Sequence, residues 1–246
     1  MEKVALLTGA AGGLGQALAA KLVRDGWTLV LVGRDGERLR AAYGNSHCQI
    51  IADCSTVAGA HDMLEQARVA GLQPTALAHC VGNIRLGALH RVSEEDFQAV
   101  LTANLVSAFH TLAAFTASLR ESAVPGAAVL VSSAAARVGT PNHEAVAAAK
   151  GGVEALVRSA AATYANFGIR VNAVAPGIMD TPAAARLIGS PAAREAAARQ
   201  YPLPGIGTSA ELAELMAWLL GTTGSRVTGQ VWSLDGGFSS IRPLVK

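Results

Sequence analysis

The sequence predicts an α/β fold, a doubly wound parallel sheet of about seven strands with helices on both faces. Two observations carry that expectation. Seven short apolar runs, at 4–7, 28–32, 49–51, 76–79, 128–131, 169–174 and 230–233, alternate with segments whose apolar residues recur at helical spacing. Of the 246 residues 51% are hydrophobic and 15% charged, a balance suited to strands buried on both faces. Strands alternating with helices imply right-handed crossovers and a parallel sheet covered on both sides.

Each element has its own signal. Leu14, Leu18 and Leu22 mark the first helix, and Leu212, Leu215, Met216 and Leu219 mark the last. Ser93 ahead of Glu94-Glu95-Asp96 reads as an N-cap with acids in the first turn, opening a long helix. Thr140-Pro141 reads as a cap followed by proline at the first helical position, opening the helix that carries Lys150. The stretch 183–198 is an alanine-rich insertion. No repeat, linker or low-complexity tail divides the chain, so one domain is expected over residues 1–246.

Charge and cysteine usage narrow the function classes. The net charge of +2 is spread without a basic run, so nucleic acid is not an expected partner. Cys48, Cys54 and Cys80 form no CxxC pair, which suits a reducing cytoplasm. The run at 4–7 stops at Thr8-Gly9, too short for a signal-peptide core, and no apolar stretch is read as membrane-spanning. A cytoplasmic protein without membrane contact is the expectation. His143-Glu144 has no second histidine four residues on, so HExxH is absent and no metal site is expected.

The chemistry begins at Thr8-Gly9-Ala10-Ala11-Gly12-Gly13-Leu14-Gly15, where the first strand turns into a helix. Glycines there let the backbone approach a pyrophosphate, and the helix N-terminus offers unpaired N–H groups and a positive dipole end. Glycine also serves plain tight turns, but this position, directly after an N-terminal strand, favours a Rossmann-type dinucleotide site. The second strand ends in Gly33-Arg34-Asp35. An acid at that tip would bond the adenosine ribose and repel a 2′-phosphate; Gly33 removes it, and Arg34 can pair with the phosphate. NADP(H) is therefore favoured over NAD(H), although Arg34 could equally be a solvated surface residue.

Together these residues resemble the short-chain dehydrogenase/reductase family over essentially the whole chain. Gly9, Gly13 and Gly15, with Leu14 between, match its TGxxxGxG pattern. Asp53-Cys54 falls where the family places an acid against the adenine, and Gly82 is what remains of its Asn-Asn-Ala-Gly in His79-Cys80-Val81-Gly82. Asn104, Ser132-Ser133, Pro176-Gly177 with Thr181, and Asp235-Gly236-Gly237 follow in the family's order. One departure stands out. The family's Tyr-x-x-x-Lys has its tyrosine thirteen residues after the catalytic serine; counting from Ser133 or back from Lys150, that place holds Val146.

The resemblance implies that Ser133 polarises a substrate carbonyl, Lys150 holds the nicotinamide ribose, and Asn104 anchors a water-linked proton path. It also implies a homodimer or homotetramer. Asn104 lies in an apolar helical stripe with Phe97, Leu101, Ala108 and Leu112, where an unpaired amide would be costly. Lys150 sits in an otherwise uncharged run, 145–153, and needs a partner or a route to water. His143 is the leading substitute donor, three residues from Val146 and carrying an imidazole, a side chain suited to general acid catalysis, unless it faces solvent. Glu144 would need a raised pKa, Tyr164 lies too far along the helix, and Tyr201 could fold over the site. Arg186, Arg194 and Arg199 could meet an anionic substrate, or form a solvated face.

Three functions are consistent with this. The first is an NADP(H)-dependent oxidoreductase acting on a small-molecule carbonyl/alcohol pair, with His143 or water as donor. The second is a catalytically silent dinucleotide-binding subunit or sensor. The third is a redox-neutral isomerase or lyase.

Overall fold

The computed structural model describes residues 3–242. In chain order the elements are β1 (Val4–Thr8), α1 (Gly13–Arg24), β2 (Thr28–Gly33), α2 (Gly36–Tyr43), β3 (Cys48–Ile51), α3 (Val57–Val69) and β4 (Ala76–His79). The long helix follows as α4 (Glu94–Leu101), a π turn (Thr102–Val106) and α5 (Ser107–Ser122). Then come β5 (Gly126–Val131), α6 (Glu144–Tyr164), β6 (Ile169–Pro176), β7 (Met179–Asp180), α7 (Ala185–Ile188) and α8 (Pro191–Ala198). The chain closes with β8 (Gly207–Thr208), α9 (Ser209–Leu220) and β9 (Val231–Leu234).

Seven strands form one sheet in the order β3-β2-β1-β4-β5-β6-β9, every neighbouring pair parallel. The runs are apolar throughout because both faces are covered, yet successive residues still part company by side. Leu6, Val30, Leu77 and Leu130 pack with Met63, Leu112, Phe115 and Val157 from α3, α5 and α6. Leu7, Leu29, Leu31 and Val129 pack instead with Leu18, Leu22, Leu212 and Met216 from α1 and α9. The doubly wound fold is thus the predicted one, with each run at its predicted place to within two residues.

Ser93 caps α4 as expected, accepting from the Asp96 amide at 3.1 Å. Thr140-Pro141 does not open α6. Asn142 turns into the left-handed region at φ 63°, so the helix starts at Glu144 with His143 in the cap position. The expectation about apolar length also needs correction: Glu94–Ser122 runs 29 residues and is apolar and long enough to cross a membrane. Half of its most apolar window is buried inside this fold. The paired strands β7 and β8, two residues each, had no sequence signal.

Candidate active site

A cleft of about 2000 Å³ crosses the carboxyl ends of the strands, lined by the turns that follow β1 to β6. Its floor at one end is the glycine turn. Gly9 has φ +68°, and a Cβ there would lie 2.8 Å from the backbone carbon and oxygen of Cys80. A Cβ on Gly15 would lie 2.5 Å from the Gly9 carbonyl oxygen, so helix and turn pack backbone to backbone. The N-cap of α1 is Gly12, which supplies no side-chain acceptor. The first-turn amides of Gly13, Leu14 and Gly15 are left for an anion in the cleft, which is what a pyrophosphate requires.

Gly33, Arg34, Asp53 and Cys54 all line that same end. The Arg34 side chain is 73% exposed, and its guanidinium lies 4.0 Å from the Asp53 carboxylate. Burial pulls the Asp53 carboxyl upward, but hydrogen bonds from the Ser55 hydroxyl and amide, with Arg34 nearby, hold it below the usual range. Cys54 is buried beneath, and that burial pushes its thiol up.

The middle of the cleft brings together Gly82, Asn104, Ser133, Val146 and Lys150. Ser133 ends the β5 segment and its Oγ accepts from the Ala135 amide at 3.2 Å, which leaves the hydroxyl proton for another partner. Lys150 is 7% exposed and donates from Nζ to the Val131 carbonyl at 2.8 Å. Burial lowers it to about 8. One turn earlier on α6, Val146 is 4% exposed and packs with Val100, Ala145 and Ala149.

Asn104 sits within the π turn and is buried. Its amide donates to the Asn83 Oδ1 at 2.9 Å, the Val100 carbonyl at 3.0 Å and the Asn83 carbonyl at 3.2 Å. Its Oδ1 accepts from the Asn83 amide at 3.3 Å. The amide is therefore satisfied, as its apolar surroundings demand. Asn83, in an exposed loop, gave no signal in the sequence.

Two further polar groupings went unread. His79 is buried between Thr8 Oγ1 at 2.8 Å and Ser107 Oγ at 3.0 Å. Ser107 spends its proton on the Ala103 carbonyl at 2.8 Å, so His79 Nε2 donates to Ser107 and Nδ1 accepts from Thr8. That wiring requires the neutral ring; burial, with Lys150 nearby, lowers its pKa to about 3. The second grouping is Glu154, whose Oε1 accepts from Ser132 Oγ at 3.0 Å and Arg137 Nε at 3.1 Å. It ties the serine segment to the helix that carries Lys150.

His143 lines the cleft, half-buried, with Nδ1 2.8 Å from the Pro141 carbonyl. A carbonyl only accepts, so Nδ1 carries a hydrogen and Nε2 is the free position. Glu144 is exposed, and Tyr164 lies at the far end of α6. Tyr201 does fold onto the site, its hydroxyl accepting from the Ile178 amide at 2.6 Å beside Gly177. Pro176, Gly177 and Thr181 line the cleft, Thr181 capping a short turn at the Ala184 amide. Arg186, Arg194 and Arg199 do not line it: Arg186 is exposed, Arg194 pairs with Asp180, and Arg199 pairs with Glu195 at 2.6 Å. Among the described residues no group of three His, Cys, Asp or Glu side chains could hold a metal ion.

Residues 9–239 match the family described as Enoyl-(Acyl carrier protein) reductase. The chain belongs to the short-chain dehydrogenase/reductase family, a family of oxidoreductases. It is 35% identical to cis-4-hydroxycyclohexanecarboxylate dehydrogenase of Sinomonas cyclohexanicum, over 98% of each chain. It is 33% identical to the Inactive 2-(S)-hydroxypropyl-CoM dehydrogenase 2 of Xanthobacter autotrophicus, over 91% of this chain and 100% of that one. Among solved structures, a short-chain type dehydrogenase/reductase from Mycobacterium ulcerans superposes with a TM-score of 0.90 at 25% identity, over 97% of this chain and 90% of that one. The actinorhodin polyketide ketoreductase crystallised with NADPH gives a TM-score of 0.92 at 24% identity over 98% of each chain, a likeness of fold.

Proposed function

We propose that this family member binds NADP(H), in preference to NAD(H), and interconverts a small-molecule carbonyl and its alcohol. The observation that carries the reading is the meeting of Ser133 and Lys150 on one cleft that continues to the uncapped amides of α1. A bound nicotinamide supplies or takes the hydride; the rest falls to the chain. The first-turn amides hold the pyrophosphate, Arg34 pairs with the 2′-phosphate, and the Lys150 ammonium holds the ribose hydroxyls. Ser133 donates its free hydroxyl proton toward the substrate oxygen. Asn104, fixed by Asn83, holds the π turn in register beside Gly82.

Val146 cannot supply the proton, which leaves His143 or water. His143 donates from Nε2 only as the imidazolium, since the neutral ring keeps its hydrogen on Nδ1. The test is NADPH oxidation across a panel of carbonyl compounds beside a direct NADPH-binding measurement. Turnover supports the reading; tight NADPH binding with no turnover of any carbonyl refutes it.

A second reading, a silent dinucleotide-binding subunit, is favoured by one observation. Val146 is embedded among Val100, Ala145 and Ala149, so apolar packing has taken the place of an acid, and a relative at 33% identity is named inactive. Self-association is also proposed. The Trp218–Trp232 pair, 5.4 Å apart, stands partly exposed where α9 meets the edge strand β9. The free Cys48, Cys54 and Cys80 suit the proposed cytoplasmic setting.

A further inference from the structure

The sequence holds four lysines, Lys3, Lys21, Lys150 and Lys246, the last outside the described residues. Lys3 is exposed, its ammonium 5.9 Å from the Trp27 ring centre. Lys21 is held between Asp25 at 3.1 Å and Glu214 at 2.9 Å, whose hydrogen bonds raise its pKa. Lys150 is 7% exposed and has no carboxylate partner among the described residues. Its one hydrogen bond among the described residues goes to the Val131 carbonyl, and an ammonium has three protons to place.

Apart from Glu154, the groups around it are uncharged. The end of β4 brings His79, neutral, and the residue after it is Cys80, its thiol pushed up to about 12 by burial. The π turn brings Asn104, and the segment after β5 brings Ser132 and Ser133. Glu154, one turn on along α6, is committed to Ser132 and Arg137. Lys150 meets the cleft beside Gly82, which also lines it and whose missing side chain matters there, since a Cβ would stand 3.3 Å from Nζ. Val146, one turn back, carries no hydroxyl to engage the amine. Near neutral pH an amine that titrates at about 8 holds on the order of 10²-fold more free base than an ordinary lysine. The other charged side chains lining the cleft, Arg34, Asp35, Arg38 and Asp53, stand at its β2–β3 end.

We propose that Lys150 is an imine-forming lysine for uncharged aldehydes and ketones that enter the cleft beside Ser133. The amine nitrogen bonds to the carbonyl carbon; the carbonyl oxygen departs as water with both amine protons, and the C=N bond takes its place. No oxidant or reductant is consumed. The inference is independent of the reductase reading, because the amine of the cofactor-free protein is what reacts.

The full chain, without cofactor, is treated with benzaldehyde and sodium cyanoborohydride near neutral pH, then digested and read by mass spectrometry. Benzylation at Lys150 at least about tenfold faster than at Lys3 or Lys21 is expected, with a pH midpoint below that of Lys21. Lys150→Arg should lose that adduct and keep the other two. Because the comparison among three lysines is internal to the wild-type protein, it stands even where the variant fails to fold. Labelling at Lys150 no faster than at Lys3 overturns the proposal.

Discussion

Restoring a tyrosine at position 146 is the perturbation from which most can be read. Residues 146 and 150 lie one turn apart on α6, so a phenol at 146 projects from the same face as the Lys150 ammonium, about 6 Å along the axis. Two costs and one gain can be sized. Forcing the ring into the cluster of Val100, Ala145 and Ala149 would overpack it by about 1–3 kcal/mol. The adjoining cleft gives the ring another way out, so the lower figure is expected, a loss of roughly 2–4 °C in Tm. Against that, a positioned general acid contributes about 10²–10⁴-fold, or roughly 2.7–5.4 kcal/mol of barrier. Val146→Tyr should therefore be slightly less stable and a much faster carbonyl reductase, measured as kcat for NADPH oxidation with saturating substrate. A variant whose structure shows the phenol between Ser133 and Lys150, with kcat unchanged, would refute the reasoning that only the proton donor is missing.

Other predictions follow from the same geometry. His79 titrates at about 3 in the fold against 6.5 in the unfolded chain, so between those values the unfolded state binds the extra proton. The stability this wiring contributes is full above about 6.5 and falls as pH drops toward 3, by about 3 kcal/mol between pH 7 and pH 4. Urea unfolding of wild type and His79→Asn should differ by that slope, and parallel profiles would contradict the buried neutral ring. Arg34→Ala should weaken NADPH binding about tenfold and leave NADH unchanged, the low end for a charge-assisted pair because the side chain is exposed. Equal losses for both would remove the 2′-phosphate role. His143→Ala should abolish the fall in carbonyl-reduction rate on the alkaline side of the pH–rate profile, where the imidazolium donor is lost; an unaltered profile leaves water as the donor.

What the sequence disclosed follows the strength of its physical signals. Strands buried on both faces leave continuous apolar runs, and all seven were legible. The Ser93 cap was legible because serine and three acids in a row have few other uses. Thr140-Pro141 misled because nothing in the sequence shows that Asn142 adopts a left-handed turn. The π turn at 102–106 leaves no period to detect, so Asn104 could be placed on a stripe but not matched with Asn83. Long-range polar wiring was equally silent: His79 stood out only as a departure from a motif, and Glu154 with Arg137 not at all. The vacancy at Val146, by contrast, followed from counting alone, and the structure places that valine one helical turn from Lys150.

Crystals soaked with NADPH test the central claim most directly. The account predicts the pyrophosphate on the amides of Gly13, Leu14 and Gly15, the 2′-phosphate at Arg34, and the nicotinamide ribose against Lys150. A cleft left empty at saturating NADPH, or a nucleotide bound with its ribose away from Lys150, would contradict it.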